Sequence, residues 1–267
     1  MIGSKNFTEQ VILGELLAEL VADRTDLPVD RRLNLGGTFV CHKALAAGEL
    51  DMYVEYTGTA LAAILKVESP ADPGAVLRTV REEYRRRFGA TWMEPLGFDN
   101  TFAIVVRPDD AGRLGLRSIS DLARVSGGLR AGFGYEFAER ADGARGLATA
   151  YGLAFAGISE MDLGLIYRAL VERQVDAVAG SATDGQIDAL GLVVLEDDRR
   201  FFPPYQAAVV VRQEVLDRHP GLGPALELLA GRISEAQMRR MNGAVDSGSR
   251  SARAVAAEFL AHELPRR

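Results

Sequence analysis

The 267-residue chain is 48% hydrophobic and 25% charged, the usage of a folded protein with a sizeable core. A formal net charge of -6 at pH 7 argues against a nucleic-acid reader, which needs a basic surface to displace counterions from phosphates. Cys41 is the single cysteine, so no internal disulfide forms and no Cys/His cluster offers a zinc site; no metal or cofactor is expected.

Ile2-Gly3-Ser4 is strand-like and runs into a polar loop over Gly3-Ser4-Lys5-Asn6-Phe7-Thr8 and an apolar-periodic helix over 9–22 with Thr8 as its N-cap. Residues 31–35 alternate like a strand, Gly36-Gly37-Thr38 turns, and 39–47 is helical with Gly48 just past its end. A third strand over 51–56 leads through a Thr57-Gly58-Thr59 loop into a helix ending near Leu65. A break at 70–74 precedes a charged helix over 76–88; residues 92–95 then lead into Phe98-Asp99-Asn100-Thr101 and an apolar strand over 102–106. Past Arg107-Pro108-Asp109 the pattern restarts, with a helix beginning at Ser120, a strand over 129–133 and helices over 146–151 and 162–172. A strand over 175–179 is followed by a loop from Ser181 to Gly185 and a helix over 186–190. Phe201-Phe202-Pro203-Pro204-Tyr205 interrupts before a strand over 207–211, and the tail over 224–264 is helical.

Strand, glycine loop and helix recur on both sides of residue 106, which is α/β patterning. The apolar strands 102–106 and 207–211 bracket a middle block, so the chain is expected to cross twice between two lobes. The first lobe comprises 1–104 plus 207–267 and the second 105–206.

Enzyme motifs fail on inspection. Gly132-Phe133-Gly134 lacks the third glycine of a dinucleotide loop, and there is no Walker loop or Gly-x-Ser-x-Gly elbow. Cys41 and His42 are helix neighbours about 100° apart and cannot pair as nucleophile and base. Asp51 and Glu55 share one strand face with Tyr53 and read as solvated strand residues or lobe-surface charges rather than as an acid-base pair.

Polar loops at strand ends are more informative. In open α/β sheets ligands bind at the carboxyl ends of strands, where helix N-termini present unpaired N–H donors. The loops 4–8, 36–38, 57–59 and 181–185 qualify, although a Ser or Thr at such a position also serves as an ordinary N-cap. Tyr56 ends one strand and Tyr205 precedes another, which places two aromatic rings where a cation without N–H donors is held by ring faces, at about 0.5–2 kcal/mol each.

The strings Gly3-Ser4-Lys5-Asn6-Phe7-Thr8-Glu9-Gln10, Glu55-Tyr56-Thr57-Gly58-Thr59, Thr183-Asp184-Gly185 and Phe202-Pro203-Pro204-Tyr205 resemble, in order along the chain, the signatures of osmoprotectant-binding proteins of ABC importers. The resemblance implies a type II periplasmic-binding-protein fold whose two lobes close on glycine betaine, choline, carnitine or a related quaternary-ammonium zwitterion. It also implies delivery to a membrane permease, a monomer outside the cytoplasmic membrane, and an export leader, lipid anchor or fused permease beyond this chain. Matched position by position, Tyr56 and Tyr205 are walls of the family's aromatic box, and Lys5, Thr59 and Arg140 hold the ligand carboxylate.

Two positions depart from the pattern. Phe102 replaces a tyrosine, and Ser181 stands where some members carry another. A bulkier betaine such as ergothioneine is therefore also expected, with polar contacts from Ser181, Thr183 or Asp184. An amino-acid binder, with Asp184 accepting N–H donors, and a ligand-sensing domain fused to a permease are the other readings. Tyr205→Ala is expected to weaken binding at least tenfold with the fold intact.

Overall fold

Two runs of small and β-branched residues, Phe102–Val106 and Gln206–Arg212, are apolar on both faces and so belong inside sheets rather than at their edges. Each is the antiparallel strand of its own five-stranded sheet in the computed structural model, which describes residues 1–67 and 72–264. Pro70 and Ala71, at the start of the expected break, lie outside the described residues.

The chain divides into unit 1, Met1–Asn100 with Pro204–Arg267, and unit 2, Thr101–Pro203. These boundaries fall ahead of those read from the sequence for a physical reason. Phe102–Val106 pairs along its whole length with Ala177–Ser181, so it lies entirely in unit 2 and is not divided after residue 104.

Unit 1 contains β1 (Ile2–Gly3), β2 (Arg31–Arg32), β3 (Met52–Tyr56), β4 (Ala90–Asp99) and later β10 (Gln206–Arg212), in sheet order β2-β1-β3-β10-β4. Unit 2 contains β5 (Phe102–Val106), β6 (Arg130–Gly134), β7 (Gly157–Met161), β8 (Ala177–Ser181) and β9 (Val193–Leu195), in order β7-β6-β8-β5-β9. The two orders are the same pattern. In each, three parallel strands are followed by an antiparallel one that the chain supplies as it enters from the other unit.

Helix α1 (Thr8–Arg24) buries Ile12, Leu13, Leu16, Leu17 and Leu20. Helix α2 (Thr38–Ala47) ends at Gly48, whose φ of 79° is the left-handed conformation that glycine adopts without penalty. A second core in unit 1 gathers Tyr53, Tyr84, Trp92, Val76 and Val80 between the sheet and the Pro73–Phe88 helix. Cys41 is buried there and His42 packs edge-on against Tyr84 and Phe88, consistent with ordinary helix positions. In unit 2 the core comprises Val105, Ile166, Leu170, Val175 and Val178.

Several local expectations are corrected. Thr8 is the first helical residue and not the cap; its hydroxyl donates to Asp246 while extended Phe7 precedes the helix. Thr57–Thr59 is already helical and continues into a π-helical turn over Ala60–Leu65. The Thr57 hydroxyl is used structurally, donating to the Pro204 carbonyl and accepting from the Gln206 N–H at 3.1 Å each. Strand β2 is shorter than the 31–35 pattern, and β4, β7 and β9 and the Pro108–Leu114 helix were not expected.

Candidate functional site

The register of the first sheet brings distant residues together. Ile2 lies beside Met52 in parallel pairing, so Lys5, three residues on, comes alongside Glu55, three residues on. The Lys5 Nζ donates to Glu55 Oε1 at 2.5 Å, and both side chains are buried. Glu55 also accepts from the Tyr56 N–H at 2.7 Å and from the Tyr53 hydroxyl at 3.2 Å. The sequence reading of Glu55 as a solvated strand residue is overturned: it is 0% exposed, and it belongs to a buried ion pair.

Tyr56 closes β3 and its ring takes two neighbours. Lys5 Nζ lies 4.9 Å from the ring centroid, and Phe7 stacks at 6.5 Å with 20° between planes. Its hydroxyl donates to Glu9 Oε1 at 2.5 Å. Burial, and after it the Glu9 carboxylate, hold the phenol well above its ordinary pKa of 10. Thr59 is buried just beyond, at the junction with the π-helical turn.

Tyr205 immediately precedes β10, beside the end of β4. Its N–H donates to both Asp99 carboxylate oxygens, at 3.0 and 3.1 Å, and its carbonyl accepts from the Asn100 N–H at 3.1 Å. Lys5, Tyr56, Asn100 and Tyr205 therefore all belong to one edge of the sheet, the carboxyl ends of β1, β3 and β4.

Asp99 carries a test of this edge. Burial raises its carboxyl pKa, and the Tyr205 N–H bonds only partly oppose that. A raised folded-state value means that the protonated form is favoured by folding. That contribution is complete below the unfolded pKa and is lost as pH rises through the folded one. Asp99→Asn is therefore expected to raise the melting temperature at neutral pH and to flatten its decline across the carboxylate range. Melting curves of both proteins against pH check this.

Unit 2 shows a parallel arrangement. Phe102 opens β5 opposite Ser181, the last residue of β8, so both sit at the carboxyl edge of the parallel strands. The Phe102 ring packs against Phe137 at 4.8 Å and Phe202 at 5.6 Å. The guanidinium of Arg140 lies 5.1 Å from the centroid of Phe102. Arg140 follows the Tyr135–Glu139 helix beyond β6 and forks onto Asp142, with Nε donating to Oδ1 at 2.8 Å and Nη2 to Oδ2. The turn carrying that fork needs Gly143, because a Cβ there would meet the Phe137 carbonyl oxygen at 1.9 Å.

Ser181, Thr183 and Asp184 form the connection after β8. Asp184 Oδ2 accepts from the Tyr167 hydroxyl at 2.5 Å and from the Ser181 N–H at 2.9 Å, which fixes the loop before the short Gly185–Ala189 helix. Thr183 is buried and Ser181 half-buried. The structure thus gathers Lys5, Tyr56, Thr59 and Tyr205 in unit 1, and Phe102, Arg140, Ser181, Thr183 and Asp184 in unit 2.

Residues without an assigned role in the sequence reading include Glu9, Glu55, Asn100, Asn242, Phe137, Asp142 and Tyr167. Glu55 carried a usable signal, because a carboxylate inside the otherwise apolar strand Met52–Tyr56 demands a partner. Asn100 and Asn242 carried none, since their separations from Glu9 are 91 and 233 residues.

Two α/β units with matching sheet orders, each with polar and aromatic residues at its carboxyl edge, define the two-lobed type II periplasmic-binding-protein fold. The family model described as the substrate binding domain of ABC-type glycine betaine transport system matches residues 1–262, and the chain belongs to that family. It is 38% identical to the carnitine transport binding protein OpuCC of Listeria monocytogenes over 97% of this chain and 85% of that protein. It is 36% identical to the ergothioneine transport permease/ergothioneine binding protein EgtU of Helicobacter pylori over 97% of this chain and 47% of that longer protein. A solved structure described as a glycine betaine/carnitine/choline ABC transporter superposes with a TM-score of 0.78 at 35% identity, covering 97% of each chain.

Proposed function

We propose that this chain binds a small compound with a methylated ammonium group, a zwitterion of the glycine betaine or carnitine kind or the related cation choline, and delivers it to an ABC permease from outside the cytoplasmic membrane. The observation that carries the proposal is the pairing of an aromatic face with a fixed cation in both units, Lys5 with Tyr56 at 4.9 Å and Arg140 with Phe102 at 5.1 Å. A zwitterion needs both surfaces, ring faces for a cation that offers no N–H and donors for a carboxylate. The cations are locally balanced, Lys5 by Glu55 and Arg140 by Asp142, so the aromatic faces are not simply positive ground.

In this reading the rings of Tyr56, Phe102 and Tyr205 take the ammonium, while Lys5, Thr59 and Arg140 take the carboxylate. Ser181, Thr183 and Asp184 contact the remainder of the ligand. The role is binding without turnover. Fluorimetric melting of the purified chain with glycine betaine, carnitine, choline, ergothioneine and proline tests it. A ligand at a hundred times its Kd stabilises the fold by about 2.7 kcal/mol, and a methylated ammonium compound is expected to produce such a shift. Silence toward every methylated amine, with a response to proline alone, would point to an amino-acid binder.

A further inference from the structure

Glu9, in the first turn of α1, is 2% exposed. Its Oε1 accepts from the Tyr56 hydroxyl at 2.5 Å and from Asn100 Nδ2 at 2.7 Å, and its Oε2 accepts from Asn242 Nδ2 at 3.3 Å. Those donors come from the end of β3, the residue after β4 and the Glu235–Asp246 helix. Three separated segments thus spend buried polar groups on one carboxylate, and that carboxylate meets the ring that the functional reading gives to the ammonium. The position near a helix N-terminus further favours negative charge.

The chemistry of the contact has a direction. A phenol that donates to a carboxylate gains electron density in its ring, and hydrogen-bonded groups polarise one another more strongly in a low-dielectric interior. The ring quadrupole is what attracts a cation. Because the phenol stays protonated far above neutrality, it is a donor at every physiological pH.

We propose that Glu9 is a positioning and specificity-determining residue: through the Tyr56 hydroxyl it fixes the ring and enriches its π face, and so sets the preference for a cationic head over an uncharged head of the same shape. Asn100 and Asn242 hold the carboxylate in that geometry. The inference rests on the reading of Tyr56 as a wall for the ammonium.

The test is calorimetric titration of the wild type, Glu9→Gln and Tyr56→Phe with glycine betaine and with tert-butylacetate, in which carbon replaces the charged nitrogen. Glu9→Gln is expected to weaken glycine betaine roughly tenfold and to leave tert-butylacetate within about twofold, narrowing the ratio between them. Tyr56→Phe removes the hydroxyl while keeping the ring and the carboxylate, and is expected to narrow the same ratio. The double variant is expected to be no worse than the poorer single one, because both changes break the same link. Equal losses for both ligands would make Glu9 a structural support only and overturn the inference. If Glu9→Gln fails to fold, an unchanged ratio in Tyr56→Phe overturns it alone. A wild type that takes no methylated ammonium compound at all overturns the functional reading, and this inference with it, before any variant is compared.

Discussion

Replacing Lys5 by methionine is expected to lower the stability of unit 1 by about 3–5 kcal/mol, the cost of leaving a buried carboxylate without its cation. Glu55 is 0% exposed, and it would retain only the Tyr53 hydroxyl and the Tyr56 N–H as its described partners. Those bonds do not supply the missing charge. The double change Lys5→Met with Glu55→Gln removes both charges and keeps acceptors for the neighbouring donors. It is expected to be clearly more stable than Lys5→Met, giving a coupling energy of about 0.5–3 kcal/mol for the pair. Denaturant unfolding of Lys5→Met, Glu55→Gln, the double variant and the wild type measures it. Strict additivity would mean that the two side chains do not sense each other.

Tyr205→Ala is expected to weaken ligand binding at least tenfold, and it will also unsettle the fold. Tyr205 is 1% exposed, among the largest fully buried side chains, and deleting a buried ring costs about 3–5 kcal/mol. The sequence reading of an intact fold for this variant is therefore corrected. Tyr205→Leu separates the two effects, because it retains much of the apolar volume while losing the ring face. It is expected to keep the tenfold loss in affinity with a smaller loss in stability, read by titration and by denaturant unfolding. Binding that survives in Tyr205→Leu would remove Tyr205 from the ammonium site.

Much of this architecture was legible in the sequence because it is locally encoded. The β-branched runs Phe102–Val106 and Gln206–Arg212 and the Gly48 helix stop announce themselves through residue type and spacing. Strands such as Gly157–Met161 and the long Ala90–Asp99 did not. The first is largely exposed and carries serine, glutamate and methionine, and the second contains Pro95 and Gly97, both poor strand formers. The same division runs through the candidate residues. Lys5, Tyr56 and Tyr205 stand in strings that resemble a family. The arrangements that hold the candidate side chains, Glu9 on the Tyr56 hydroxyl, Glu55 on Lys5 and Asp142 on Arg140, depend on strand register and loop closure rather than on composition.

The central claim, a site for a quaternary-ammonium zwitterion, is tested most directly by titrating the chain with glycine betaine, dimethylglycine, sarcosine and glycine. The carboxylate is constant in that series, and each methyl removed gives the nitrogen another N–H that aromatic faces cannot satisfy. Affinity is expected to fall at every step, with glycine beyond detection. Binding of glycine as tight as that of glycine betaine would contradict the account.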